Sequence, residues 1–202
     1  GDKMKDEKII YLDGETLSSS EVQMIAEGKA SVEISQDSWV KIYAARSVVD
    51  GILERGETVY GINTGFGALV KERISNDDLS DLQRNLIRSH ATALGDLMSK
   101  ELVRAMMVTR ANSLAKGCSG VHPDVINQLL AFINNDICPA IPRIGSLGAS
   151  GDLAPLSHMA LSLIGEGEVL TDSGVGPTRD ALLANGLIGI SLKAKDGLSL
   201  IN

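Results

Sequence analysis

The stretch Gly145-Ser-Leu-Gly-Ala-Ser-Gly-Asp-Leu-Ala-Pro-Leu-Ser-His158 breaks the chain with three glycines and then restarts it with a proline. Taken locally, it is a loop that runs into a helix. The glycines serve turns, Ser150 or Asp152 can cap the helix, and Pro155 suits a first turn, where its missing N–H costs nothing. That helix is expected from near Asp152 to Gly165, after a proline- and glycine-marked loop over 137–151. Upstream, Pro123 opens a helix with the apolar stripe Ile126, Leu129, Leu130 and Ile133, and another runs from Ser99 to about Lys116, where Gly117 stops it. A helix from Asp77 carries Leu79, Leu82, Leu86, Ile87 and His90 on overlapping faces. A longer one, from about Ser38 to Arg55, spaces Val40, Tyr43, Ala44, Ser47, Val48 and Ile52 helically before Gly56. Near the start, strands are expected at Ile9 to Leu12 and Ser31 to Ser35, with an intervening helix that Ser18, Ser19 or Ser20 caps and Gly28 ends. A hairpin-like piece at Glu168 to Gly174 and a short helix near Arg179 to Asn185 follow.

The pattern is mainly α: a mixed N-terminal domain with short strands (1–117), then the beginning of a central helical domain (118–202). Composition agrees. Of 202 residues, 44% are hydrophobic but only 3% aromatic, so the core must be aliphatic, which suits helix packed on helix. A net charge of -7 with few aromatics makes nucleic acid a poor partner. No apolar run approaches membrane-spanning length, and the charged opening residues are unlike a signal peptide, so no membrane association and a cytoplasmic site are expected. Cys118 and Cys138 are then expected as reduced thiols. With only His90, His122 and His158 beside them, and none at ligand spacing, no metal site is expected.

Two segments exceed structural filler. One is the string at 145–158. The other is Val59-Tyr-Gly-Ile-Asn-Thr-Gly-Phe-Gly67, on its face a glycine-rich surface loop; a phosphate-cradling role fails on spacing and on the lack of a following Lys-Ser/Thr. Taken whole, the first resembles the signature of the histidine and phenylalanine ammonia-lyase family. The second resembles that family's Tyr-Gly-(Ile/Val)-Asn-Thr-Gly-Phe-Gly loop. Ser89-His90, within Arg88-Ser-His-Ala-Thr-Ala-Leu-Gly95, resembles the Ser-His pair of histidine-specific members, where tyrosine- and phenylalanine-specific relatives usually have His-Leu or Phe-Leu. Gly197-Leu-Ser-Leu-Ile-Asn202 resembles the family's Gly-Leu-Ala-Leu-(Ile/Leu)-Asn-Gly. Without the resemblance, His90 is an ordinary helix residue and Asn202 carries no meaning.

The resemblance implies a long-helix bundle of the fumarase/aspartase-like kind, truncated here, because family members are more than twice this long. It implies a cofactor made from the chain itself: Ala149-Ser150-Gly151 cyclises to 4-methylidene-imidazol-5-one (MIO). The Gly151 nitrogen attacks the Ala149 carbonyl, whose oxygen leaves as one water, a closure that small neighbours permit, and Ser150 loses its hydroxyl as a second water. It makes Tyr60 the catalytic base, His90 a contact for the substrate ring, and Asn202 a hydrogen-bonding partner of cofactor or substrate amine. The implied reaction is elimination of ammonia from L-histidine to give trans-urocanate, in a homotetramer with shared sites. The same apparatus acting on tyrosine or phenylalanine, an aminomutase, and a non-catalytic helical assembly fragment stay open as alternatives. The isolated chain is expected to be inactive, with its tripeptide uncyclised. The stripe at Ile126 to Ile133, with the helix after Pro155, is expected to lack covering chain and so to favour association.

Overall fold

The computed structural model describes residues 8–59, 62, 74–144 and 153–202. Strand β1 (Lys8–Leu12) and strand β2 (Ala30–Ile34) pair in parallel, Lys8 opposite Ala30 through Leu12 opposite Ile34, with helix α1 (Ser19–Ala26) between them in sequence. Alternation sets the buried face: Ile10, Leu12, Val32 and Ile34 turn inward, while Ile9 and Tyr11 face out. Ser18 and Glu21 form a reciprocal capping box that fixes where α1 starts.

Helix α2 (Gln36–Arg55) is capped by Ser35 and ended by left-handed Gly56 at φ +69. Its buried residues are Ser38, Ile42, Arg46 and Val49. This corrects the expected face, because Val40, Tyr43 and Val48 are each more than half exposed. Apolar residues occur on several faces of α2. The choice falls to Ile42 and Val49, together with Arg46, which is drawn inward to bond backbone carbonyls.

Helix α3 (Asn76–His90) starts at the Ser75 cap and buries Leu79, Gln83 and Ile87 on one stripe. Strand β3 (Leu94–Leu97), which sequence patterning did not reveal, is exposed along its length. Helix α4 (Lys100–Leu114) follows the Ser99 cap, and helix α5 (Pro123–Asn134) opens at the expected proline. Ile126, Leu129, Leu130 and Ile133 are all buried, and so are Val125 and Phe132. The chain therefore covers the stripe that was expected to stand bare: α2, α4, β2 and a later helix, α6 (Leu153–Leu163), surround α5. Each such side chain contributes about 1.5–3 kcal/mol on full burial.

Strand β4 (Pro142–Ile144) pairs antiparallel with β3 inside the segment read as loop, where Ile137, Cys138 and Ile141 are buried. Helix α6 (Leu153–Leu163) is buried over most of its length and packs on α3. Strands β5 (Glu168–Thr171) and β6 (Gly174–Pro177) form the expected hairpin, followed by helices α7 (Thr178–Ala184) and α8 (Asp196–Ile201). One buried cluster draws on residues from Ile10 to Ile201. Both cysteines are free, Cys118 exposed and Cys138 buried. No described helix is long and apolar enough to cross a membrane.

Candidate active site

Three mutually packed elements carry, in whole or in part, three of the four segments that the sequence singled out. Helix α3 ends on His90, α6 begins just downstream of Ala149-Ser150-Gly151, and α8 runs into Asn202; α8 packs on both α3 and α6. Tyr60, Ala149, Ser150 and Gly151 themselves lie outside the described residues.

His90 is half-buried. Its Nδ1 lies 2.9 Å from the Leu86 carbonyl and 3.1 Å from Ser89 Oγ, and Ser89 Oγ donates to the same carbonyl at 2.8 Å. A carbonyl only accepts, so the Nδ1 edge carries the proton. The Nε2 edge is left as an acceptor in the neutral ring, and no described residue hydrogen-bonds it. Position 89 thus braces the ring that position 90 presents.

The end of α3 is fixed to α6. The Ala93 N–H donates to His158 Nε2 at 3.2 Å, which requires a neutral His158 with its proton on Nδ1; burial lowers the His158 pKa, in keeping with that. Arg88 grips Glu166 with two 2.9 Å bonds, from Nε to Oε1 and from Nη2 to Oε2. That pair is partly exposed, so its geometry guides more than it stabilises. Inside α6, Ser157 Oγ bonds the Leu153 carbonyl at 2.6 Å.

Asn202 is exposed, and its backbone carbonyl accepts from Arg110 Nη1 at 2.9 Å. It borders a cavity of about 410 Å³ with Arg110, Lys116, Cys118, Lys195 and Ser199. A second cavity, about 550 Å³, lies between α4 and the start of α6, lined by Met98, Leu102, Met106, Arg143 and Pro155 and again by Arg110. Arg110 thus borders both the space beside Asn202 and the space at the head of α6. Among the described residues no hydrogen bond joins His90 to Asn202, and no group of three or more His, Cys, Asp or Glu side chains could hold a metal ion.

Sequence patterning missed the polar cluster that delivers α8. Asp196 has no exposure; Oδ1 accepts from His122 N at 2.9 Å and Oδ2 from Lys193 N at 2.8 Å, with Arg46 Nη1 3.5 Å away. Burial pushes the Asp196 carboxyl up to about 6, against the pull of those two N–H bonds and of Arg46. Gln83, fully buried on α3, accepts from Gly197 N at 2.7 Å, while its own Nε2 has no partner among the described residues. The glycine of the Gly197-to-Asn202 motif thereby gains a local reason. A Cβ there would stand 2.7 Å from Gln83 Oε1 and 3.1 Å from its backbone oxygen.

The chain belongs to the aromatic amino acid lyase family, whose pattern it matches over residues 17–202. It is 47% identical over 194 residues to the histidine ammonia-lyase of Geobacillus thermodenitrificans strain NG80-2, across 96% of this chain and 38% of that protein. The histidine ammonia-lyase of Staphylococcus aureus strain bovine RF122 is 48% identical over 193 residues, with the same coverages. Among solved structures, histidine ammonia-lyase from Trypanosoma cruzi superposes with a TM-score of 0.88 at 38% identity, over 96% of this chain and 38% of that one. Tyrosine aminomutase from Streptomyces globisporus gives 0.85 at 41% identity, over 95% and 36%. The chain thus spans well under half the length of the relatives it matches.

Proposed function

We propose that these residues form the N-terminal part of a histidine ammonia-lyase, which eliminates ammonia from L-histidine to give trans-urocanate. The observation that carries the choice of substrate is His90: Ser89 and Leu86 hold its Nδ1 edge, leaving Nε2 as an acceptor for the N–H of a substrate imidazole. The Geobacillus and Staphylococcus relatives, both histidine ammonia-lyases, support the same choice.

Two obstacles define the reaction: the amine is a poor leaving group, and the β-hydrogen is barely acidic. The segment between β4 and α6 offers a glycine amide, an alanine carbonyl and a serine hydroxyl in the order MIO formation needs, so the chain's own residues fit that group. Once formed, MIO supplies an electrophilic methylidene that makes the substrate amine easier to expel. Helix α6 starts two residues after Gly151, and the positive end of its peptide dipoles favours electron density drawn onto that segment. Tyr60 takes the β-proton. An unperturbed phenol has a pKa near ~10, so this role requires surroundings that stabilise the phenolate. Asn202 hydrogen-bonds the cofactor or the amino end of the substrate. The working enzyme in this reading is a cytoplasmic homotetramer. Tyr60 and His90 come from the segment 1–117 and the tripeptide from 118–202, and these 202 residues alone do not suffice for turnover.

The test uses the full-length protein. The intact mass should fall short of the sequence mass by two waters, and histidine should yield urocanate absorbance. Ser150→Ala should abolish both while leaving the fold intact, and Tyr60→Phe should lower turnover by about 10²–10⁴-fold. An unmodified mass, with turnover indifferent to Ser150→Ala, refutes the reading. The likeness to tyrosine aminomutase keeps one competitor in view. Comparing histidine with tyrosine, and looking for a β-amino acid product, separates the two.

A further inference from the structure

We propose that Asp196 is a positioning residue that, with Arg46, sets where Asn202 stands in the active site; the inference rests on the assignment of Asn202 made above. Helix α8 has six residues and no side-chain cap, too few to hold a direction by its own hydrogen bonds. Its lead-in, Lys195, is left-handed at φ +73, a conformation that a side chain makes costly and that persists only where the surroundings impose it. Asp196 does the imposing. Its two oxygens take N–H groups from His122, ahead of α5, and from Lys193, ahead of α8. Arg46 arrives from α2 and donates to the carbonyls of Ala194 at 3.0 Å and Gly120 at 3.3 Å, bracketing the same junction. On the other side, Gln83 of α3 holds Gly197 N. The entry of α8 is therefore clamped from both sides; onward, the chain is held by the burial of Leu200 and Ile201 against the core, by Ser199 Oγ on the Ser119 carbonyl at 3.5 Å, and by Arg110 on the last carbonyl.

Geometry sets the leverage. Six residues at about 1.5 Å each put Asn202 about 9 Å along the axis from Asp196, so a tilt of about 10° at the clamp moves it by about 1.6 Å. A displacement of about 1 Å can cost about 10²-fold in rate where catalysis depends on orientation. Asp196→Asn keeps the shape but turns one acceptor into a donor facing an N–H and removes the charge opposite Arg46.

The experiment compares full-length wild type, Asp196→Asn, Arg46→Lys, and Ile25→Ala, a core control in α1, a helix packed on α4 and β2. Steady-state kinetics run below every melting point, and amide exchange is followed over 196–202 and over α5. Asp196→Asn should lower kcat about 10–100-fold with KM shifted less than about threefold, and speed exchange over 196–202 while leaving α5 protected. Arg46→Lys should fall in between, and reports alone if Asp196→Asn fails to fold. The control should keep kcat within twofold despite a lower melting temperature. Unchanged kcat in both clamp variants, a fall matched by the control, or unchanged exchange over 196–202 overturns the proposal. A wild type without lyase activity indicts the functional reading instead, and the exchange data still decide the clamp.

Discussion

Two glycine-to-alanine changes, each inside a helix, should shift stability in opposite directions. In Gly197→Ala the new methyl meets Gln83 at 2.7 Å (Oε1), 3.1 Å (backbone O) and 3.2 Å (Cβ). Gln83 is fully buried and already bonded to Gly197 N, so it cannot swing aside without breaking that bond. Overpacking of this kind costs about 1–3 kcal/mol, and a buried N–H left without its acceptor about 1–3 kcal/mol more. The helix preference of alanine returns at most about 1 kcal/mol. The net is a loss of about 1–5 kcal/mol, and at about 2–4 °C per kcal/mol for a chain of this size the melting temperature should drop by about 2–20 °C. In Gly51→Ala, within α2, the three atoms nearest the new methyl all belong to the guanidinium of Arg55, the first 3.0 Å away, at the end of an exposed arm. The gain of about 0.5–1 kcal/mol then stands unopposed, for a rise of about 1–4 °C. Calorimetry of both variants decides. Gly197→Ala melting at or above wild type would refute the close packing of α8 on α3, and two shifts of the same sign would refute the contrast.

The face of α2 can be checked in the same way: Ile42→Ala should cost about 2–5 kcal/mol, whereas Tyr43→Ser or Val48→Ser should stay within about 0.5 kcal/mol in urea unfolding. Arg104 is buried on α4, donating to the carbonyls of Ile25 and Ile133 and to Asp136. Arg104→Met should cost about 1–3 kcal/mol, since it takes a charged donor from two carbonyls that keep backbone partners and from Asp136, which keeps Lys100, and a loss below about 0.5 kcal/mol would contradict the contacts. Asp196 gives a pH signature. Its folded pKa of about 6 exceeds the ordinary 3.8, so the native state holds the extra proton between those values and stability declines as pH rises through that window. The advantage of wild type over Asp196→Asn should therefore shrink from pH 4 to pH 7, by up to roughly 3 kcal/mol; a constant or growing gap would show the shift to run the other way.

Local chemistry was legible in the residues. The Ser18 cap, the helix starts at Ser99 and Pro123, and the stop at Gly56 all mark helix ends through bonds that reach only a few residues. What stayed hidden depends on partners distant in the chain. The inward face of α2 is selected by carbonyls at Gly120 and Ala194, up to 148 residues away. β3 has no buried side chain to give it an alternating pattern, and exists because β4 pairs with it. α5 shows an apolar stripe to periodicity, yet is buried on nearly every side because four elements close around it. At the candidate site, His90 and Asn202 stand out in the sequence only as pieces of strings that carry meaning when taken whole. Asp196, Arg46 and Gln83 carry no such string, and only the fold assembles them.

The outer edge of β2 also bears on how the protein is made. Val32 N–H donates to Asn134 Oδ1 and Val32 C=O accepts from Asn134 Nδ2, both at 2.9 Å, so one amide side chain stands in for a third strand. That side chain lies 102 residues later. At about 5–20 residues per second, a ribosome needs roughly 5–20 s to reach it after finishing the strand. Through that interval the nascent β1–β2 pair presents an open edge to any neighbouring chain. Asn134→Ala should therefore show itself first as aggregation during synthesis, before any loss in the purified, folded protein.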